Sequence, residues 1–433
     1  MFVTMDRLRV GIETTFVRAA FGFLFGFAAV ACEPQIEPIA NTDLHQWNGE
    51  DWRVEIQLQP DVVLPVGLHI ARKGEDAWFS NGVERVEVGE VSIAGKQYHL
   101  RFPAFNNTLE LMRDGDRLSG TLTLVKRGYE QHLPVRAEPH PGYRFSPDPQ
   151  AEVDVTGRWE VVFTDSEGNE GAAIGEFDQQ GSMLSGTFLT PTGDYRYLEG
   201  EVAGRMLKLS TFDGAHAYVF TATMDEFGAL EGDFWSGDRW HEGWKARRNF
   251  DAELPDAYAI THLKPGYETV EFAFPDLQGQ PVSLSDPKYD GKVVLVTLAG
   301  TWCPNCADEA EFLSAYYREN HHRGLEIVTL LFEHVTDFDK AATLGRELVA
   351  KHDIGFEVLV AGYSDKADAA EALPMLDRVL AYPTMIFIDR AGKVREIHTG
   401  FSGPGTGGHH LEFVREFDEL MEAFLAEPVP QEG

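Results

Sequence analysis

Residues 297–313 read TLAGTWCPNCADEAEFL and hold two of the three cysteines in this 433-residue chain. Residues 292–298 form a mainly apolar, β-branched run, which predicts a buried parallel strand. After the second cysteine, apolar residues such as Ala310 and Leu313 recur at helical spacing. The stretch is therefore predicted to be a strand-to-helix junction. Pro304 is expected as the first helical residue, because its missing N–H would be unpaired there in any case.

This junction predicts distinct chemistry for the two cysteines. Cys303 is expected at the helix N-terminus, where unpaired amides and the helix dipole stabilise an anion, so its thiolate is expected to be populated near neutral pH. Cys306 follows one turn later, within reach of the first sulfur. Cys303 can then attack a substrate disulfide, and Cys306 can resolve the mixed disulfide. The pair predicts thiol–disulfide exchange.

The N-terminus predicts export of the chain. An apolar run over residues 19–31 is preceded by three arginines, Arg7, Arg9 and Arg18. A basic start, a short apolar middle and small residues at the end are typical of a signal sequence. The run is shorter than the roughly 20 apolar residues that a membrane-spanning helix needs. A permanent spanning anchor is therefore disfavoured.

The end of this run, Ala-Val-Ala-Cys, resembles the lipobox of bacterial lipoproteins. The resemblance implies a signal peptide over residues 1–31 and acylation of Cys32, which would anchor the chain to a membrane through lipid. By the rule known for bacterial lipoproteins, Glu33 directly after this cysteine favours location in the outer membrane over the inner membrane. The alternative is an ordinary cleaved signal with an incidental cysteine. If Cys32 is acylated, any intramolecular disulfide must join the other two cysteines, and no structural disulfide framework exists.

Composition bounds the class of protein. The formal net charge of -33 argues against a nucleic-acid partner, since phosphate binding needs clustered lysine and arginine. We interpret the acidity as a property that favours solubility. With 43% hydrophobic and 12% aromatic residues, the chain has the composition of a folded globular protein, and its length predicts two to three domains.

The N-terminal half is predicted to be β-rich. Two segments open alike, GEDWRVEI from Gly49 and TGRWEVVF from Thr156, and glycine-rich turns recur between short alternating runs. The pattern predicts two related antiparallel meanders, each a barrel or a sandwich, at residues 44–137 and 152–249. A proline-rich segment, residues 138–150, joins them. One continuous sandwich or barrel built from both halves is the alternative.

Aromatic residues are dense in the second of these units. They either line a ligand cavity, as in some small barrels, or fill the core, and we favour the core. His216 and His241 are isolated, so no catalytic constellation stands out and the role of this half is not predicted. The aromatic residues concerned are Tyr195, Tyr197, Trp235, Trp240 and Trp244.

From about residue 270 onward, the chain resembles the thioredoxin fold and, within it, the TlpA/ResA-like thiol-disulfide oxidoreductases. The features that carry the resemblance are a lead-in F-x-F-x-D-L-x-G-x-x-V-x-L from Phe272, the W-C-x-x-C motif, and Tyr-Pro-Thr before the apolar strand MIFID. The resemblance implies an α/β thioredoxin domain at residues 268–427. The fold class predicted for the whole chain is therefore multidomain, with a β-rich meander half followed by this domain.

The resemblance also implies roles for particular residues. Pro383 would be a cis proline that packs against the active-site disulfide and forms the substrate-side wall. Trp302, Tyr382 and Gly400 would lie in the substrate groove, where Gly400 lets a substrate backbone approach closely. Cys303 would be the nucleophile and Cys306 the resolving thiol.

One departure from thioredoxin itself concerns the proton that the thiols exchange. Thioredoxin carries a buried aspartate six residues before its first cysteine, whereas this chain has Thr297 there. The ResA-like branch has instead a glutamate three residues after the second cysteine, which corresponds to Glu309. Glu309 is either a proton relay, if it is partly buried, or with Asp308 a first-turn acid that the helix dipole favours.

Longer members of the superfamily suggest alternatives. The segment between Glu333 and Met375 exceeds what a minimal thioredoxin needs and resembles the peroxiredoxin-like branch, but the peroxidatic T-x-x-C pattern is absent. His409 and His410 raise the hypothesis of a soft-metal site shared with the cysteines. Copper chaperones of the superfamily have C-x-x-x-C, and the two-residue spacing here differs.

We therefore predict a lipid-anchored, periplasm-facing thiol-disulfide oxidoreductase that needs no cofactor and no metal. Its expected partners are disulfide-bearing envelope proteins and an upstream membrane thiol donor. The resemblance favours reduction over oxidation, and the Pro-Asn pair between the cysteines adds no charge that would make the couple strongly oxidising. Alternatives are a ligand- or partner-binding lipoprotein with an accessory redoxin domain, a thiol-dependent peroxidase, and a soft-metal handling protein.

Overall fold

The computed structural model describes residues 49–71, 74 and 76–429. The first β-unit comprises β1 (Gly49–Gln59), β2 (Val62–Ala71), β3 (Ala77–Asn81), β4 (Glu84–Glu87), β5 (Glu90–Ala94), β6 (Gln97–Phe102), β7 (Asn107–Asp114), β8 (Arg117–Lys126) and β9 (Tyr129–Pro139). The second β-unit comprises β10 (Gly157–Thr164), β11 (Glu170–Gln180), β12 (Met183–Thr190), β13 (Gly193–Asp194), β14 (Leu198–Ala203), β15 (Met206–Phe212), β16 (Ala217–Met224), β17 (Leu230–Ser236) and β18 (Trp240–Arg248).

The C-terminal domain contains both strands and helices. Its strands are β19 (Ala273–Pro275), β20 (Pro281–Ser283), β21 (Val293–Ala299), β22 (Leu325–Glu333), β23 (Glu357–Tyr363), β24 (Thr384–Ile388) and β25 (Val394–Thr399). Its helices are α1 (Pro304–Asn320), α2 (Phe338–His352), α3 (Lys366–Ala372) and α4 (Gly408–Leu425). Within the residues that the structure describes, no helix is both long and apolar enough to cross a membrane.

The first β-unit is one antiparallel sheet in the order β4-β3-β2-β1-β9-β8-β7-β6-β5. Each strand therefore pairs with its neighbour in sequence, except that β4 and β5 are the two edges and β1 pairs with β9. Residues alternate between buried and exposed along β9, as expected for a sheet that packs one face on the core and exposes the other to solvent. Trp52 of β1, from the predicted GEDWRVEI segment, is fully buried in the core of this unit.

The second β-unit is a closed barrel of eight strands. Pairing runs from β10 through β11, β12, β14, β15, β16 and β17 to β18, which pairs again with β10, while the short β13 adds to β12. A barrel of this size has an interior just wide enough for side chains to fill. Phe188 and Trp244 fill it with ring centroids 5.4 Å apart. The two units thus have separate sheets and do not form one continuous sheet.

The dense aromatic residues of the barrel have different surroundings. Trp244 is buried in the core, and Tyr195 packs against that core. Trp235 packs instead against the core of the first β-unit, and Trp240 is 51% exposed. The core interpretation is therefore correct for Trp244 and Tyr195 and wrong for Trp240, which lies at the start of β18 where the strand leaves the packed interior.

The C-terminal domain has a five-stranded sheet in the order β23-β22-β21-β24-β25, with β21, β22 and β23 parallel. All seven residues of the central strand β21 are buried, as predicted for a strand covered on both faces. Alternate residues serve opposite faces, because Val294 and Val296 join the core that α2 closes whereas Val293 and Leu295 join the core that α4 closes. The predicted thioredoxin-type α/β arrangement is confirmed.

Candidate active site

The two cysteines lie where β21 gives way to α1. Pro304 is the first residue of α1 and Cys303 is its N-cap, with the sulfur accepting the N–H of Cys306 at 3.1 Å. The N-terminal amides of a helix are otherwise unpaired, so they stabilise negative charge on this sulfur. A disulfide joins Cys303 to Cys306, with Cα atoms 5.2 Å apart. The arrangement can hold the pair as a disulfide or release Cys303 as a thiolate.

A proline loop forms one wall beside the disulfide. The Tyr382–Pro383 peptide bond is cis, and the Tyr382 carbonyl oxygen lies 3.5 Å from Cys303 Sγ. The backbone N–H of Gly400 donates to the Pro383 carbonyl at 2.9 Å, which fixes Gly400 next to this loop. Gly400 has φ of +84°, a left-handed conformation that favours glycine. The proline loop therefore contacts the Cys303 sulfur through the Tyr382 carbonyl and Gly400 through the Pro383 carbonyl.

Aromatic rings pack against Trp302, the residue directly before Cys303. Trp302 meets Tyr382 edge to face, with centroids 5.5 Å apart, and its indole N–H donates to the Phe332 carbonyl at 2.9 Å. The ring of His334 stacks on Trp302 at 4.3 Å. Burial, together with nearby cationic side chains, lowers the pKa of His334 to about 3, so this ring is neutral. Two aromatic contacts and one hydrogen bond therefore fix the position of Trp302.

Glu309 lies one helical turn beyond Cys306 and is 1% exposed. The Thr297 hydroxyl donates to one of its carboxyl oxygens, and the other has no hydrogen-bond partner among the described residues. Burial raises the pKa of Glu309 to about 8, although the hydrogen bond from Thr297 lowers it. A neutral carboxyl gains nothing from the helix dipole. These properties favour the proton-relay interpretation over the first-turn-acid one.

Asp308 has a different environment although it is adjacent in sequence. Its carboxylate pairs with Arg196, which comes from the loop between β13 and β14 of the barrel. The two acids after the second cysteine therefore differ in role. Glu309 is buried and neutral, whereas Asp308 pairs with a cation that is distant in sequence. No local pattern distinguishes them, because the distinction arises from what packs against each face of α1.

A second buried acid, Glu333, was missed by the sequence reasoning as a site residue. It ends β22 and accepts the backbone N–H of Thr301 at 2.9 Å and the Thr301 hydroxyl at 2.8 Å. Burial raises the pKa of Glu333 to about 7, and the two hydrogen bonds from Thr301 lower it. Glu333 therefore holds the backbone two residues before Cys303. The available signal was an acid at the end of a mainly apolar run that is typical of a strand.

The two histidines of the soft-metal hypothesis have partners of their own. His409 Nε2 lies 3.1 Å from the Glu176 carboxylate and 3.0 Å from a guanidinium nitrogen of Arg158. His410 Nδ1 lies 2.8 Å from the Ser402 carbonyl oxygen. No cluster of three or more His, Cys, Asp or Glu that could hold a metal ion occurs in the described part of the chain. Cys32 and the predicted signal peptide lie outside the described residues.

Comparison with known proteins concerns the C-terminal part of the chain. Residues 265–397 match the model of the AhpC/TSA family. The thiol-disulfide oxidoreductase ResA of Bacillus cereus is 30% identical over 134 residues, which are 31% of this chain and 69% of that protein. ResA of Halalkalibacterium halodurans is 27% identical over 159 residues, 37% of this chain and 78% of that protein.

A solved structure also resembles the chain. A crystal structure of a thiol:disulfide interchange protein of the thioredoxin family from Chlorobium tepidum is 19% identical, and the match covers 37% of this chain and 96% of the other. The TM-score is 0.29, which is too low for this similarity to support a conclusion about the chain.

Proposed function

The C-terminal part of the chain belongs to the ResA family of thiol-disulfide oxidoreductases, and from this premise we propose that the protein is a membrane-tethered, extracytoplasmic reductase of disulfides in envelope proteins. The observation that carries the proposal is the position of Cys303. Its sulfur caps α1, is bonded to Cys306 and lies 3.5 Å from the carbonyl that precedes Pro383. A sulfur in this environment is a good nucleophile when reduced and a good leaving group when attacked.

The proposed reaction transfers two electrons from the dithiol to the substrate. The Cys303 thiolate attacks one sulfur of the substrate disulfide, forming a mixed disulfide and releasing the other substrate sulfur as a thiolate, which takes up a proton. The Cys306 thiolate then attacks the Cys303 sulfur, which forms the disulfide seen here and releases the second substrate thiolate. An external dithiol donor, proposed to be a membrane protein, reduces the Cys303–Cys306 disulfide again.

Surrounding residues are proposed to support these steps. Pro383 and Tyr382 form the wall against which the substrate sulfur approaches, and Trp302 and Gly400 border the same groove. Glu309 takes the proton that Cys306 loses when it becomes a nucleophile and returns it when the dithiol forms again. In the disulfide form described here Glu309 is neutral, which is the state expected after it has taken up this proton, and it lies one turn from Cys306. The proposed cycle therefore has an ionised Glu309 beside a protonated Cys306 in the dithiol form.

Membrane tethering is proposed from the sequence alone. The basic start, short apolar run and Ala-Val-Ala-Cys ending support export and acylation of Cys32. Location in the periplasm, facing envelope substrates, agrees with thiol chemistry in an oxidising compartment, where disulfides form and persist.

Trapping of mixed disulfides tests the proposed reaction. The full chain with Cys32→Ser is reduced, freed of reductant and mixed with insulin, and products are separated on non-reducing gels. With Cys306→Ser, a covalent complex with an insulin chain is expected to accumulate, because the resolving thiol is missing. With Cys303→Ser, no complex and no insulin reduction are expected. A Cys303→Ser protein that reduces insulin at the unmodified rate would overturn the assignment.

A further inference from the structure

A hairpin of the barrel lies over the groove beside the disulfide. This hairpin, residues 190–196, includes the turn between β12 and β13. A Cβ built on Gly400 would lie 3.1 Å from the Thr192 carbonyl carbon and 3.2 Å from the Gly193 nitrogen, so the hairpin backbone touches Gly400. A Cβ built on Gly193 would lie 3.0 Å from the side-chain oxygen of Asn305, which stands between the two cysteines.

Polar contacts attach the hairpin to the C-terminal domain. Asp194 accepts the backbone N–H of Gly403 at 2.7 Å. Arg196 donates to the Pro304 carbonyl at 3.2 Å and pairs with Asp308, both in the first turns of α1. The side chains of Arg196 and Asp308 are only 17% and 15% exposed. An ion pair at this depth is costly to break, because each charge would be left without its partner.

Arg196 also ties the hairpin to the first β-unit. Its second terminal nitrogen lies 2.7 Å from Glu84, whose side chain is 6% exposed. Between β8 and β9 of that unit, Arg127 pairs with Asp365 at 3.0 Å. The neighbouring Ser364 hydroxyl lies 2.8 Å from the His334 ring that stacks on Trp302. Contacts of the β-rich half therefore reach the start of α1 and also the segment whose Ser364 contacts His334.

We infer that the hairpin, residues 190–196, is an internal cover of the disulfide groove, and that protein disulfides reach Cys303 only when the hairpin moves away. The inference rests on the proposed function and names its regulation. Disulfide exchange requires the incoming sulfur, and the chain that carries it, to reach the sulfur of Cys303, a residue that is only 5% exposed. The space along Gly400 and Asn305 holds the hairpin backbone, and two backbones cannot occupy it together.

The cover predicts discrimination by substrate size. A small disulfide needs only a narrow path to Cys303, whereas a protein must also place flanking backbone in the groove. The apparent rate with a protein is then the intrinsic rate multiplied by the fraction of molecules in which the hairpin is displaced. Contacts that hold the hairpin therefore lower the ratio of the protein rate to the small-disulfide rate. A change in thiolate reactivity alone would alter both rates together.

The test measures this ratio for the reduced full chain with insulin and with hydroxyethyl disulfide. Arg196→Ala removes the attachment to α1 and to Glu84, and the ratio is expected to rise at least about tenfold. Gly193→Ala adds a methyl group toward Asn305 and is expected to raise the ratio as well. Arg205→Ala is the matched control in the same barrel, because the Arg205 guanidinium donates to the backbone oxygens of Met224 and Asp225. Its ratio is expected to stay unchanged.

Circular dichroism establishes whether each variant is folded. If Arg196→Ala does not fold, the rate ratio of Gly193→Ala tests the cover instead. An unchanged ratio in a folded hairpin variant overturns the cover. Failure of every form to reduce hydroxyethyl disulfide would instead contradict the proposed function.

Alkylation tests the cover independently of activity. In a chain carrying Cys32→Ser and Cys306→Ser, Arg196→Ala is expected to speed reaction of Cys303 with a polymer-linked maleimide more than with iodoacetamide, and equal acceleration also overturns the cover.

Discussion

Replacement of Glu309 by glutamine is expected to change how stability depends on pH. Glutamine has nearly the same shape, and its carbonyl oxygen can accept the Thr297 hydroxyl as the carboxyl group does. The substitution therefore removes the titration without opening a cavity. In the folded protein burial raises the pKa of Glu309 to about 8 from the ordinary value of 4.5. The unfolded chain exposes this carboxyl to water, where it titrates near that ordinary value.

The sign follows from the number of protons that each state binds. Between these two pKa values the folded protein holds one proton that the unfolded chain has lost, so the free energy of unfolding falls as pH rises. The contribution of Glu309 is fully present below pH 4.5 and is lost as pH rises through about 8. The slope is at most about 1.4 kcal/mol per pH unit, and the whole shift corresponds to an upper limit of about 5 kcal/mol.

The Glu309→Gln variant lacks this loss. Relative to the unmodified protein it is expected to gain stability steadily between about pH 5 and about pH 8, by a few kcal/mol in all. Groups common to both proteins, including the buried Glu333, cancel in the difference. Urea unfolding of the oxidised proteins, followed by circular dichroism at each pH, gives the two curves. A difference that stays constant across this range would refute a neutral Glu309 and remove the basis for its role as proton relay.

A matched control comes from the same helix. Glu311 lies two residues further along α1, and its side chain is 78% exposed. Glu311→Gln removes one carboxylate from α1 without touching the buried site, so its stability difference is expected to vary little with pH. A similar rise in both variants would mean that the overall negative charge, and not the burial of Glu309, determines the effect.

Three further predictions concern other parts of the molecule. Glu333→Ala removes both acceptors of Thr301 and is expected to destabilise the protein by about 1–3 kcal/mol in urea unfolding and to slow insulin reduction; unchanged values would exclude Glu333 as support for the motif. Phe188→Ala, in the barrel interior, is expected to cost about 3–5 kcal/mol, whereas the exposed Trp240→Ala is expected to cost under about 1 kcal/mol. Cys32→Ser is expected to move the protein from the membrane fraction to the soluble fraction. A variant that stays in the membrane fraction would count against acylation of Cys32.

Local interactions explain which parts of the fold were predictable. The buried strand was predicted at residues 292–298 and lies at Val293–Ala299, and the helix begins at Pro304 as predicted. Both depend on neighbours in sequence, through apolar runs and the missing N–H of proline. The repeated segments from Gly49 and Thr156 likewise predicted strands, and β1 and β10 lie there. Closure of the second sheet into a barrel was left open, because it depends on the β11–β12 and β10–β18 pairings taken together.

The candidate site divides in the same way. The sequence by itself determined the C-x-x-C pair at a helix start, which is a short pattern with a local cause. The proline loop and the glutamate one turn after Cys306 were instead predicted from the resemblance to the TlpA/ResA-like oxidoreductases. Only the tertiary structure decided that Glu309 is buried while Asp308 pairs with Arg196, a residue 112 positions away, and that Gly193 lies against Asn305. Such contacts have no local signature. They arise when segments distant in sequence pack together, and the free energy of that packing depends on the shape and charge of whole surfaces rather than on the order of neighbouring residues.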